Sequence, residues 1–232
     1  MSLNISKTRR TFLGTVASLI ASSRIALAQS RKPGPTVIDG RVVIGDFNEA
    51  KESAVVDGPI HDGVEIQIDL PNSQHVKNFG APNDGKGLCV FASMTMAGRW
   101  HNVRQLFDVI RKLNEGGGWP EKVDEVLKAF APLLKYVQYE GTDPSCLDKA
   151  LSEGRPACVT YGYGERYQMQ TIYHMVMLVH FDEKWAVILD NNFPGTYEWM
   201  SRAEFLRRWA HPGGKGWMYV LLAPPPPPIP HN

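Results

Sequence analysis

The stretch "YHMVMLVHFDEKWAVILDN", residues 173 to 191, constrains this chain more than any other. Two runs of Met, Val, Leu, Ile and aromatic residues, each of strand length, flank the turn-forming triplet "DEK". The pattern predicts an antiparallel hairpin in which the end of the second strand returns beside the start of the first. Further strands are predicted at "KYVQYE" and "PACVTYGYG" before the hairpin and at "GWMYVLLA" after it.

Helical patterns dominate the preceding part. A glycine-rich loop leads into an amphipathic run that begins near Cys89. "NVRQLFDVIRKL" (102–113) would place Val103, Leu106, Phe107, Ile110 and Leu113 on one helical face. "GGGWP" then punctuates, and Pro120 opens a further helix through "EKVDEVLKAFAPLL". The acids Glu115, Glu121, Asp124 and Glu125 read as a solvated helix face. "DPSCLDKALSEG" reads as a helix closed by Gly154, and Ser201 starts a short helix through "RAEFLRRW". "VEIQIDL" (64–70) alternates as a strand does. Helices first and antiparallel strands later predict an α+β domain over residues 64–222.

The ends read differently. Paired Arg9-Arg10, the apolar run "TVASLIASS" and "ALA" at 26–28 form a secretory signal of the twin-arginine type, with cleavage expected after Ala28. The expected location is therefore the bacterial periplasm or the outside of the cell, reached through the twin-arginine export machinery. Residues 29–63 are rich in Gly, Pro and Asp and predict a loose segment with one or two strands. The tail at 223–232, with "PPPPPIP", is expected to be extended and mobile. A formal net charge of +1, without basic runs interleaved with aromatics, gives no reason to expect nucleic acid as a partner.

Export bears on the three cysteines. Cys146 and Cys158 flank a predicted helix, and a disulfide between them would leave Cys89 free. Two unpaired core thiols fit the sequence equally well. No Cys or His spacing suits zinc, so neither a metal nor another cofactor is expected.

A cysteine at a helix start gains thiolate character from the helix dipole and the free N–H groups there. An imidazole must take its proton, and a third group must orient that imidazole. His174 starts the first strand of the hairpin and Asp190 ends the second, so pairing brings the two together. Adjacent strand residues face opposite ways, so only one of Asp190 and Asn191 can reach His174. A carboxylate also stabilises the imidazolium as it forms, which favours Asp190. A bulge at the strand end would turn Asn191 inward as the alternative third member. With Asp190 in that role, replacing Asn191 is expected to have a mild effect. His180, on the same strand, is expected to be exposed. Trp185, Trp199, Trp209 and Trp217 read as core and cleft wall.

This order of residues resembles the papain-like cysteine peptidases over roughly residues 70 to 222. The family's helix opens G-x-C-W-A-F-S, and here it reads "GLCVFAS", residues 87 to 93. The resemblance implies a helical part carrying the Cys89 helix, packed on an antiparallel sheet carrying His174 and Asp190. It implies a Cys89–His174–Asp190 set, with Asn83 standing where the family has an oxyanion-hole glutamine and the Cys89 N–H as second donor. The Asp, and the "SRAEFLRRW" helix after it, look closest to the bacteriocin-processing branch. Departures are Val90 in place of the family's tryptophan, and Phe193 as the available substitute for the tryptophan that shields the triad. The implied activity is cleavage of amide bonds in a peptide or protein substrate. A transglutaminase-type acyl transfer and a non-catalytic binding module on the same fold are the alternatives. Oligomeric state has no signature in the sequence.

Overall fold

The computed structural model describes residues 36–38, 41–43, 54–78, 88–109, 113, 118–162, 174–210 and 214–227. All belong to one compact unit, Thr36–Asn232. The signal segment, the Asn83 loop and Glu115 lie outside the described residues.

Eleven strands are described: β1 Thr36–Ile38, β2 Arg41–Val43, β3 Val55–Asp57, β4 Ile60–His61, β5 Val64–Glu65, β6 Tyr136–Gly141, β7 Ala157–Tyr161, β8 His174–Phe181, β9 Trp185–Leu189, β10 Tyr197–Ser201 and β11 Gly216–Leu221. The helices are α1 Cys89–Trp100, α2 Pro120–Phe130, α3 Ser145–Ser152 and α4 Arg202–Trp209. β1 pairs with β2, and β4 with β5. The main sheet has seven strands in the order β3-β10-β9-β8-β7-β11-β6, with every neighbouring pair antiparallel. Helices packed on a large antiparallel sheet make the fold α+β.

Register shows which face each side chain takes. Tyr197, Leu189, Met177, Cys158 and Tyr219 pair in one row across the sheet. Glu198, Ile188, Leu178 and Ala157 form the adjacent row, which therefore faces the other way. Tyr219 donates from its hydroxyl to the Val90 carbonyl of α1 at 2.7 Å. Glu198 meets Arg208 of α4. The sheet is thus covered by α1 on one face and α4 on the other, which is why β8 is buried along its whole length.

The second face carries a buried ionic network. Arg208 donates to Glu198 at 3.0 Å, to Glu204 at 2.6 Å and to the Tyr161 hydroxyl at 2.6 Å, and Tyr161 also donates to Glu198. Ser201 caps α4 by accepting from the Glu204 N–H at 3.2 Å.

Several elements depart from the sequence expectations. Four short strands, not one or two, lie between residues 36 and 61, and β3 forms an edge of the main sheet, which therefore draws on chain before residue 64. Only Val64–Glu65 of "VEIQIDL" is strand, although Ile66, Ile68 and Leu70 bury alternately as the pattern required. The 102–113 helix does not start where the apolar spacing put it. Asn102 adopts a positive φ of 54°, which ends α1, and Arg104–Leu106 form a single 3-10 turn. That turn buries Leu106 against Gly98 of α1, so tight packing took over the i, i+3 spacing. The proline tail is anchored at its start, where Pro224 O lies 3.0 Å from His101 Nδ1.

His180 is buried, not exposed. A register shift between Leu178 and His180 inserts an extra residue into β8. His180 therefore turns to the opposite face from Leu178, where its ring lies 6.0 Å from that of Trp199. The 64–70 segment covers the bulge, with Ile68 N–H donating to Val179 O at 3.1 Å. His180 is held through Nε2 by Asp182 at 2.9 Å.

The cysteines form no disulfide. Cys158 is fully buried in β7 and Cys146 half-buried in the first turn of α3, both as free thiols. Burial pushes Cys158 up to about 12, so that thiol stays protonated.

Candidate active site

Cys89 is the first residue of α1. The N-cap residue Leu88 offers no side-chain cap and no acid sits in the first turn, so among the described residues the positive end of the helix dipole faces the thiol. His174 is the first residue of β8, and Asp190 directly follows β9. Imidazole Nε2 and Asp190 Oδ1 lie 2.8 Å apart. A carboxylate facing Nε2 makes that nitrogen the donor and leaves Nδ1 for Cys89, to which His174 is also hydrogen-bonded. All three side chains are buried.

The electrostatics follow from this chain of contacts. Burial pushes the Cys89 thiol up, but the hydrogen bond and charge of His174, aided by the N–H groups of Met175 and Val90, outweigh it and hold Cys89 below the ordinary thiol range. Burial likewise pushes His174 down, and the hydrogen bonds and charges of Asp190 and Cys89 carry it up instead, to about 9. The geometry favours a thiolate beside an imidazolium.

Asp190 and Asn191 separate as neighbours on an extended chain should. Asp190 shares the His174 side, whereas Asn191 points to α1 and donates to Cys89 O, Ser93 Oγ and Met175 O. Asn191 does not reach the His174 ring as a third member would.

Two residues at the site had no role in the sequence reading. Asn192 donates its N–H to Asp190 Oδ1 at 2.8 Å, and its Nδ2 lies 3.4 Å from His174 Nε2. Its Oδ1 accepts from Asn78 Nδ2 at 3.1 Å. Asn78 comes from the far side of the sequence, so only the run "DNN" hinted at this amide cluster. Phe193 is partly buried in the same turn, with its N–H donating to Asp190 O at 3.0 Å.

Val90 is buried beside Cys89, and Gly118 packs directly on it. A Cβ at residue 118 would fall 2.5 Å from Val90 Cβ, so the chain can pass here only as glycine. The next residue, Trp119, is half exposed. Asn83 lies outside the described residues. Among the described residues, no group of His, Cys, Asp and Glu could hold a metal ion.

No family model matches the chain, and no curated protein matches it. Among solved structures it resembles a provisionally assigned C39-like peptidase from Bacillus anthracis. The two are 16% identical with a TM-score of 0.47, over 68% of this chain and 98% of that one. At that identity and score the likeness carries no residue roles.

Proposed function

We propose that the chain is a thiol hydrolase that cleaves amide bonds through an acyl-enzyme on Cys89. The observation that carries this reading is the hydrogen-bonded succession of a helix-start thiol, an imidazole and a buried carboxylate. The thiolate attacks the carbonyl carbon and forms a C–S bond. The His174 imidazolium gives its proton to the departing amine, which leaves as the C–N bond breaks. His174, now neutral, takes a proton from water, whose oxygen attacks the thioester and releases a carboxylic acid and the free thiolate. Asp190 holds the ring and stabilises its charged form. The Cys89 N–H, with the Asn83 amide as second donor, would receive the oxyanion.

A peptide or protein substrate is proposed, with Trp119 as an exposed apolar contact beside the site. Export rests on Arg9-Arg10 and the "ALA" sequence, and we place the mature enzyme in the bacterial periplasm or outside the cell. Loss of export in an Arg9→Lys/Arg10→Lys variant, read by cell fractionation, tests that placement.

The activity is tested with a peptide library read by mass spectrometry. New chain ends that disappear in Cys89→Ala support hydrolysis. Incorporation of an added amine without new chain ends would assign acyl transfer instead, and no product of either kind would leave a binding module.

A further inference from the structure

Asn191, with a mild effect expected from its replacement, is fully buried. Its Nδ2 lies 3.2 Å from Cys89 O, 3.0 Å from Ser93 Oγ and 2.8 Å from Met175 O. Three acceptors around one atom fix it as the amide nitrogen. Ser93 Oγ in turn donates to Met175 O at 3.3 Å. Cys89 and Ser93 stand one turn apart on α1, while Met175 follows His174 on β8. One side chain therefore ties the helix end that carries the thiol to the strand end that carries the imidazole.

We propose that Asn191 is a positioning residue that clamps the first turn of α1 against the start of β8 and thereby sets the approach of Cys89 to His174. The chemistry of the position calls for a hydrogen-bond donor of this reach. A carboxylate would face three oxygen acceptors with no proton to offer, and an apolar side chain would leave two buried carbonyls without this donor. Asp190 and Asn191 thus divide the work of one turn: the first accepts from the imidazole, and the second donates to the backbone on either side of it. Burial alone disfavours a thiolate, so Cys89 depends on the close imidazole. Loosening the clamp raises the ionisation midpoint of the thiol.

The consequence for turnover rests on the thiol-hydrolase reading, but the clamp itself is measurable without substrate. Ultraviolet thiolate absorbance of the full chain is titrated against pH, with the matching Cys89→Ser protein as blank, and thermal melting is recorded on the same samples. Asn191→Leu keeps the shape and removes the donors. The expected result is a cooperative melt with the Cys89 midpoint raised by about one unit, roughly tenfold less thiolate below it. Asn191→Ser, which restores one donor, should fall between Asn191→Leu and the wild type. An unshifted midpoint in folded Asn191→Leu overturns the clamp while leaving the hydrolase reading intact. If Asn191→Leu does not melt cooperatively, Asn191→Ser is read the same way, and its unshifted midpoint overturns the clamp equally. A wild-type midpoint in the ordinary thiol range would sink the hydrolase reading, and the clamp with it.

Discussion

His174 and Asp190 are sixteen residues apart in sequence and 2.8 Å apart in space, because the β8–β9 hairpin returns the chain to its own starting point. The same carboxylate oxygen accepts the Asn192 N–H, which holds it in place for the ring. A side chain so fixed orients the imidazole and stabilises its charge.

Replacing Asp190 by alanine should lower kcat by roughly 10²–10⁴, the range of a mispositioned general base. Asp190→Asn should retain partial activity, since an amide oxygen can still accept from Nε2–H. Steady-state kinetics on a cleaved peptide check both. Equal activity of Asp190→Ala and wild type would remove Asp190 from the site.

The pH profile of kcat/KM should be a bell. Cys89 is held below the ordinary thiol range, so the acid limb, where protons reclaim the thiolate, lies below that range. His174 is raised to about 9, so the alkaline limb, where the imidazolium loses the proton it must donate, lies near that value. A profile that only rises through about 8.5 would contradict the ion pair.

Arg208 is fully buried between Glu198 and Glu204. Arg208→Ala should cost about 3–5 kcal/mol, because it strands the Glu198 carboxylate in the core without its cation, while Glu204 keeps Arg207. Urea unfolding measures this, and a loss under about 1 kcal/mol would show that Glu198 takes up a proton or finds another partner at little cost.

What could be read from the sequence was what local pattern determines. The hairpin, α1, α2, α3, α4 and β11 carry their periodicity and turn residues openly, and the places of Cys89, His174 and Asp190 at element ends follow from them. What escaped depends on distant partners. β3 is three exposed residues whose strand identity comes only from β10 beside it. β10 itself was hidden by Glu198, a charge in a buried strand that makes sense only with Arg208 in view. His180 is buried because both faces of the sheet are covered and the 64–70 segment closes over the bulge, neither of which the run itself shows. Asn78 and Asn192 meet across the fold, and neither residue type signals a contact by itself.

The most direct test is the alkylation rate of Cys89 by iodoacetamide from pH 6 to pH 9, followed by intact mass in the wild type and in His174→Ala. Cys158 is sealed in the sheet, and burial raises the Cys146 thiol, so one fast site is expected. The account requires rapid single labelling at Cys89 already below neutral pH, with the rate collapsing in His174→Ala. Labelling that climbs only through about 8.5, and at the same rate in both proteins, would contradict it.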